Sequence, residues 1–158
     1  MDGFDRLHGL DVVHTAIGLH PEEPIGVNTS LFSLTARLAD EPDPKVAVAR
    51  TALGIARSPV WNAAARRCID LASLLPCYLI AGIMTPPDAE REVFQARIAT
   101  IHPGGRHVLV LDLTSASVQH HEAYADILEA VAHTLVFTDP HPAPPPVAMT
   151  SRILDVLR

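Results

Sequence analysis

The sequence predicts an α/β fold: a mainly parallel sheet of about four strands with helices on both faces and an N-terminal helical subassembly, in a single domain over residues 1–158. Three observations predict it. The run Val108-Leu109-Val110-Leu111-Asp112-Leu113, entered through Gly104-Gly105 and left through Thr114-Ser115, is apolar without polar alternation. A strand covered on both faces looks like this, and such strands are typical of parallel sheets. The second half of the chain then alternates helical and strand patterns, as crossover units do. Finally, a capping residue followed by proline recurs at Asp43-Pro44, Ser58-Pro59 and Thr85-Pro86. Proline at a first helical position forfeits no hydrogen bond, so each pair marks a helix start.

In chain order, Asp11 to Ile17 is a candidate strand followed by a loop through Pro21 and Pro24. Asn28, Thr29 and Ser30 offer caps for a helix carrying Leu31, Leu34, Thr35 and Leu38 at helical spacing. The Pro44 helix is expected to bury Val46, Ala49, Leu53 and Ala56. The Pro59 helix is expected to run to Leu75 with Trp61, Ala64, Cys68 and Leu71 inward, forming a helical pair with its predecessor. Cys77 to Met84 reads as a buried strand, bracketed by Pro76 and Thr85. A helix from Thr85 to about Ile101 ends at the turn His102-Pro103-Gly104-Gly105. After the central strand come a helix from Val118 to His133 and a short strand from Thr134 to Thr138. A proline-dense connector from Asp139 to Pro146 and a last helix from Thr150 to Arg158 complete the pattern.

Composition narrows the function. The formal net charge of −6 argues against wholesale coating of nucleic acid or an anionic membrane. Only 19% of residues are charged while 48% are hydrophobic, which suggests surface covered in a homo-oligomer. The N-terminus lacks the basic start and apolar stretch of a signal peptide, and the most apolar window, Ile69 to Met84, is too short to span a bilayer. A cytoplasmic location without membrane contact is expected. Cys68 and Cys77 read as small buried thiols rather than a disulfide.

Ligands of open parallel sheets bind beyond the carboxyl ends of the strands. The candidate ligand-binding residues are therefore Thr85, Asp112, Thr114, Ser115, Thr138, Asp139 and His141. By period two, Asp112 shares a sheet face with Val108 and Val110, a carboxylate at the rim of an apolar surface. The leading expectation is a ligand- or partner-binding regulatory module with its site at these strand ends, its partner a small molecule or a protein. A small hydrolase or transferase, with Asp112 as base or ligand holder and His141 as proton carrier, is one alternative. No phosphate-cradling glycine loop follows a strand, no metal-ligand spacing is present, and no cofactor is indicated. Glu122, Asp126, Glu129 and His133 form one polar helix stripe, read as a solvated face rather than a metal site.

The stretch Ala49-Arg50-Thr51-Ala52-Leu53-Gly54-Ile55-Ala56-Arg57-Ser58-Pro59-Val60-Trp61-Asn62-Ala63-Ala64-Ala65-Arg66-Arg67 resembles a helix-turn-helix of bacterial repressors. Gly54 takes the turn, and Ala49, Leu53, Ile55, Val60 and Ala63 take interior positions. The resemblance implies that Arg57, Ser58, Asn62 and Arg66 face DNA, with Lys45, Arg50 and Arg67 adding phosphate contacts. A DNA-binding regulator using residues 45–67 is thus the second alternative.

Overall fold

A computed structural model describes residues 11–22, 24–86 and 90–138. Its centre is a six-stranded sheet formed by β1 (Val12–Glu22), β2 (Gly26–Leu38), β3 (Trp61–Cys68), β4 (Tyr78–Met84), β5 (Val93–Ile101) and β6 (His107–Ser115). The spatial order is β1-β2-β6-β5-β4-β3, and every neighbouring pair is antiparallel. Among the described residues two helices accompany it, α1 (Pro44–Ala56) and α2 (His121–His133), the latter entered through a 3₁₀ turn at Val118–His120.

The expected mainly parallel, four-stranded α/β arrangement is therefore overturned. Its premise concerning β6 holds, since Val108, Leu109, Leu111 and Leu113 are all buried. The inference from burial to parallel pairing fails because each face of this antiparallel sheet carries its own helix. On one face, Tyr124, Leu128 and Ala132 of α2 pack on Phe94, Ala96, Ile98, Leu111 and Leu113. On the other, Ala47, Val48 and Ala52 of α1 pack on Ile80, Ala99, Ile101 and Val108. A central strand squeezed between two helices loses its polar alternation whichever way its neighbours run.

Three predicted helices are corrected with it. The segment after Asn28 is β2, where Val27, Thr29, Phe32 and Thr35 favour a pleated surface over the helix that the leucine spacing suggested. The stretch expected to run from Thr85 to Ile101 as a helix ends as β5, rich in β-branched residues and buried on both sides. The Pro59 helix is replaced by edge strand β3, whose alanines are exposed and whose backbone pairs with β4. Tertiary pairing overrides their helical propensity. The segment Thr134 to Thr138 is irregular rather than a strand. The expected connector from Asp139 and the helix from Thr150 lie outside the described residues.

The Pro44 helix forms as expected, with Asp43 Oδ1 accepting from the backbone N–H groups of Lys45 and Val46. Its buried side is Ala47, Val48 and Ala52, not the stripe through Val46 and Ala49. The Val118 to His133 segment is helical, as expected, and buries Tyr124, Leu128 and Ala132 opposite its polar stripe. No helix among the described residues is long and apolar enough to cross a membrane.

Candidate ligand groove on the open sheet face

The two helices do not cover equal shares of the sheet. α1 packs over β4 and β5 and reaches β3. On its face the neighbouring strands β1, β2 and the end of β6 have no helix above them among the described residues. There the register builds a polar row across four strands: Thr15 of β1 opposes Ser33 of β2, Ser33 opposes Asp112 of β6, and Asp112 opposes Arg97 of β5. The next row toward the β6 end runs Ile17, Leu31, Thr114, Gln95, and the row on the other side includes Thr35 and Val110. Alternation places all these side chains on one face.

Asp112 sits at the middle of a closed hydrogen-bond set. Arg97 Nε donates to Oδ2. Gln95 Nε2 donates to both Oδ1 and Oδ2 at 3.0 Å, and Thr114 donates to Oδ1 at 3.1 Å. Each carboxylate oxygen thus accepts two hydrogen bonds, close to its full capacity. Satisfying Asp112 fixes the amide of Gln95 with its nitrogen toward the carboxylate. Its Oε1 is left buried without a hydrogen-bond partner.

Beside this set lies a groove of about 860 Å³. Its polar lining is Thr15, Ser33, Thr35, Arg37, Arg97 and Asp112, and its apolar walls include Ile17, Leu31, Ile55 and Val110. Arg37 makes no ion pair among the described residues, and Arg97 spends only Nε on Asp112. Two arginines against one carboxylate leave the groove net positive in a chain of net charge −6.

Of the sequence-predicted residues, Asp112 and Thr114 come together here, and Asp112 lies on the face with Val108 and Val110 as the alternation indicated. Ser115 points to the other face, where it is buried and donates to the Thr29 carbonyl at 2.8 Å. Thr85 stands beyond β4, accepting from Asn62 at 3.2 Å. Thr138 is exposed at the end of the irregular segment after α2. Asp139 and His141 lie outside the described residues. Asp112, expected as base or ligand holder, directs both carboxylate oxygens to Arg97, Gln95 and Thr114.

Gln95, Arg97, Ser33 and Arg37 were not anticipated. Reading residues 85–101 as a helix hid the signal: Gln95 and Arg97 alternate with Phe94, Ala96 and Ile98, a period of two inside an apolar run.

The helix-turn-helix is also corrected, since Asn62 and Arg66 lie on strand β3, where the expected recognition helix is replaced by a strand. Arg57 caps the end of α1 through its backbone, and Asn62 bonds Thr85 and Glu92. Ser58 lies in the short link, where its backbone N–H reaches the Ile55 carbonyl. Arg67 pairs with Glu129 of α2, so the polar stripe of that helix serves to tie down β3. No cluster of metal-ligating side chains occurs among the described residues.

This is a helix-flanked antiparallel sheet with an open half-face, and comparison with known proteins places it no further than its fold. Compared with models of known families and with curated protein sequences, the chain matches none. Among solved structures it is similar to PA94 from Pseudomonas aeruginosa, a protein of unknown function described as a candidate regulator. The TM-score is 0.50 with 19% identity, over 80% of this chain and 84% of that one. At that identity the likeness is one of fold.

Proposed function

We propose that this chain is a non-catalytic binding module whose groove holds a small amphipathic anion, an apolar body ending in a carboxylate or similar group. The observation that carries this reading is the row Thr15, Ser33, Asp112, Arg97 set on an uncovered sheet face between apolar walls. A groove with apolar walls and a few placed polar groups suits a small ligand. Arginine is suited to a planar anion because its fork donates two parallel hydrogen bonds, and Arg37 with the free nitrogens of Arg97 supplies such donors. Asp112, accepting from Gln95, Thr114 and Arg97, holds the arginine in place.

Calorimetric titration with decanoate, and with decanol as the uncharged control, tests it. Binding of decanoate well above that of decanol is expected. Arg37→Ala should weaken decanoate about tenfold or more, the worth of one charge-assisted hydrogen bond. Equal affinities for the two probes, or a decanoate affinity unmoved by Arg37→Ala and Arg97→Gln, would remove the proposal.

A further inference from the structure

The two edges of the sheet are built differently. β3, at one edge, carries Arg66 and Arg67 near its end, and Arg67 is tied to Glu129 of α2. Charged side chains on an edge discourage another strand from adding to it. β1, at the other edge, carries no charged residue from Val12 to Pro21. Its protective devices sit at its ends, a bulge between Val12 and His14 and proline at position 21. Between them, His14 to His20 presents an unpaired backbone edge among the described residues, long enough for a strand of ordinary length.

The same hairpin concentrates exposed apolar surface. Outside the groove lining, Val13, Leu19 and Val27 are each more than 60% exposed. A single exposed apolar residue needs no explanation, but several on one hairpin beside an uncharged edge point to an interaction surface.

We propose that two copies of this chain associate through the outer edge of β1, pairing antiparallel about a two-fold axis to join their sheets. A second copy fits this edge because a two-fold contact brings the same patch against itself, which requires self-complementarity. An uncharged, apolar strand meets its own copy without like-charge repulsion, whereas the arginines of β3 would be gathered together. The low share of charged residues in the chain, 19%, agrees with a surface that is partly covered in the assembly. The contact uses the strand edge and is independent of ligand in the groove.

Sedimentation or light scattering on the full chain across a concentration series reads the result. Twice the chain mass is expected at tens of micromolar, falling to the monomer mass in Val13→Lys combined with Leu19→Lys. Neither residue lines the groove and both are well exposed, so unchanged far-ultraviolet circular dichroism should confirm that the variant folds. Cysteines placed singly at His14, Thr15, Ala16 and Ile17, with Cys68→Ser to remove the exposed native thiol, locate the axis. Opposed side chains in antiparallel strands lie about 5 Å apart, so only a position at the axis meets its own counterpart. Cross-linking that peaks sharply at one position supports the proposal. A monomer throughout, a dimer indifferent to the two lysines, or cross-linking absent or uniform along β1 would each overturn it.

Discussion

The two faces of the sheet are made from the same strands, yet they do different work. Under α2 the surface is closed: Phe94, Ala96, Ile98, Leu111 and Leu113 are buried by Tyr124, Leu128 and Ala132. Under α1 closure stops at the strands around β4 and β5. The polar row from Thr15 to Arg97 and the exposed Ile17 and Leu31 follow. One face secures the fold while the other leaves chemistry accessible, and alternation along each strand allows both from one sequence.

Truncation on the closed face should separate the two most strongly. Leu111→Ala, at a side chain with no solvent exposure, should destabilise by about 2–5 kcal/mol in chemical denaturation. Leu31→Ala on the open face should cost well under half of that, and equal losses would show that the open face is covered. Gly82→Ala should cost about 1–3 kcal/mol, because an added Cβ would lie 2.1 Å from the Ala63 carbonyl oxygen and push β3 away from β4. Hydrogen exchange confined to β3 would show that displacement. Removing the carboxylate with Asp112→Ala should also cost about 1–3 kcal/mol, since it strips Arg97, Gln95 and Thr114 of a common acceptor.

A thiol provides the smallest contrast, in a pH profile. Cys77 is buried under the closed face, and burial pushes its pKa from 9.0 up to about 12, with Cys68 and Glu129 adding to the rise. A raised pKa means that the folded state keeps a proton the unfolded chain releases. The associated stability is complete below about pH 9 and is lost as the pH climbs toward 12, by at most about 1.4 kcal/mol per pH unit. Cys77→Ala should flatten that alkaline decline relative to the parent chain. At pH 8, a thiol reagent should label exposed Cys68 and leave Cys77 unmodified until the chain unfolds.

Much of the local structure is legible in the sequence where a local signal dominates. The Asp43-Pro44 start, the amphipathic helix through Leu128 and the runs at Tyr78 and Val108 depend on neighbours a few residues away. Strand direction is different. Nothing in Val108 to Leu113 records whether β2 and β5 run with it or against it, so burial alone led to the parallel reading. At Ala63 to Ala65 the local preference points to a helix, and only pairing with β4 makes a strand. The candidate site was half visible for the same reason: Asp112 stands out inside an apolar run, while its partners Arg97 and Gln95 become visible only when residues 93–101 are read with a period of two.

The strand order has a consequence for how the polypeptide acquires its shape. β3 to β6 form a meander of successive neighbours, but β2 waits for a partner that lies far down the chain, with Ser30 opposite Ser115. Contacts closing such long loops slow folding. During synthesis the first hairpin must emerge well before β6 exists to receive it, so its apolar side chains are accessible to chaperones until the meander is finished.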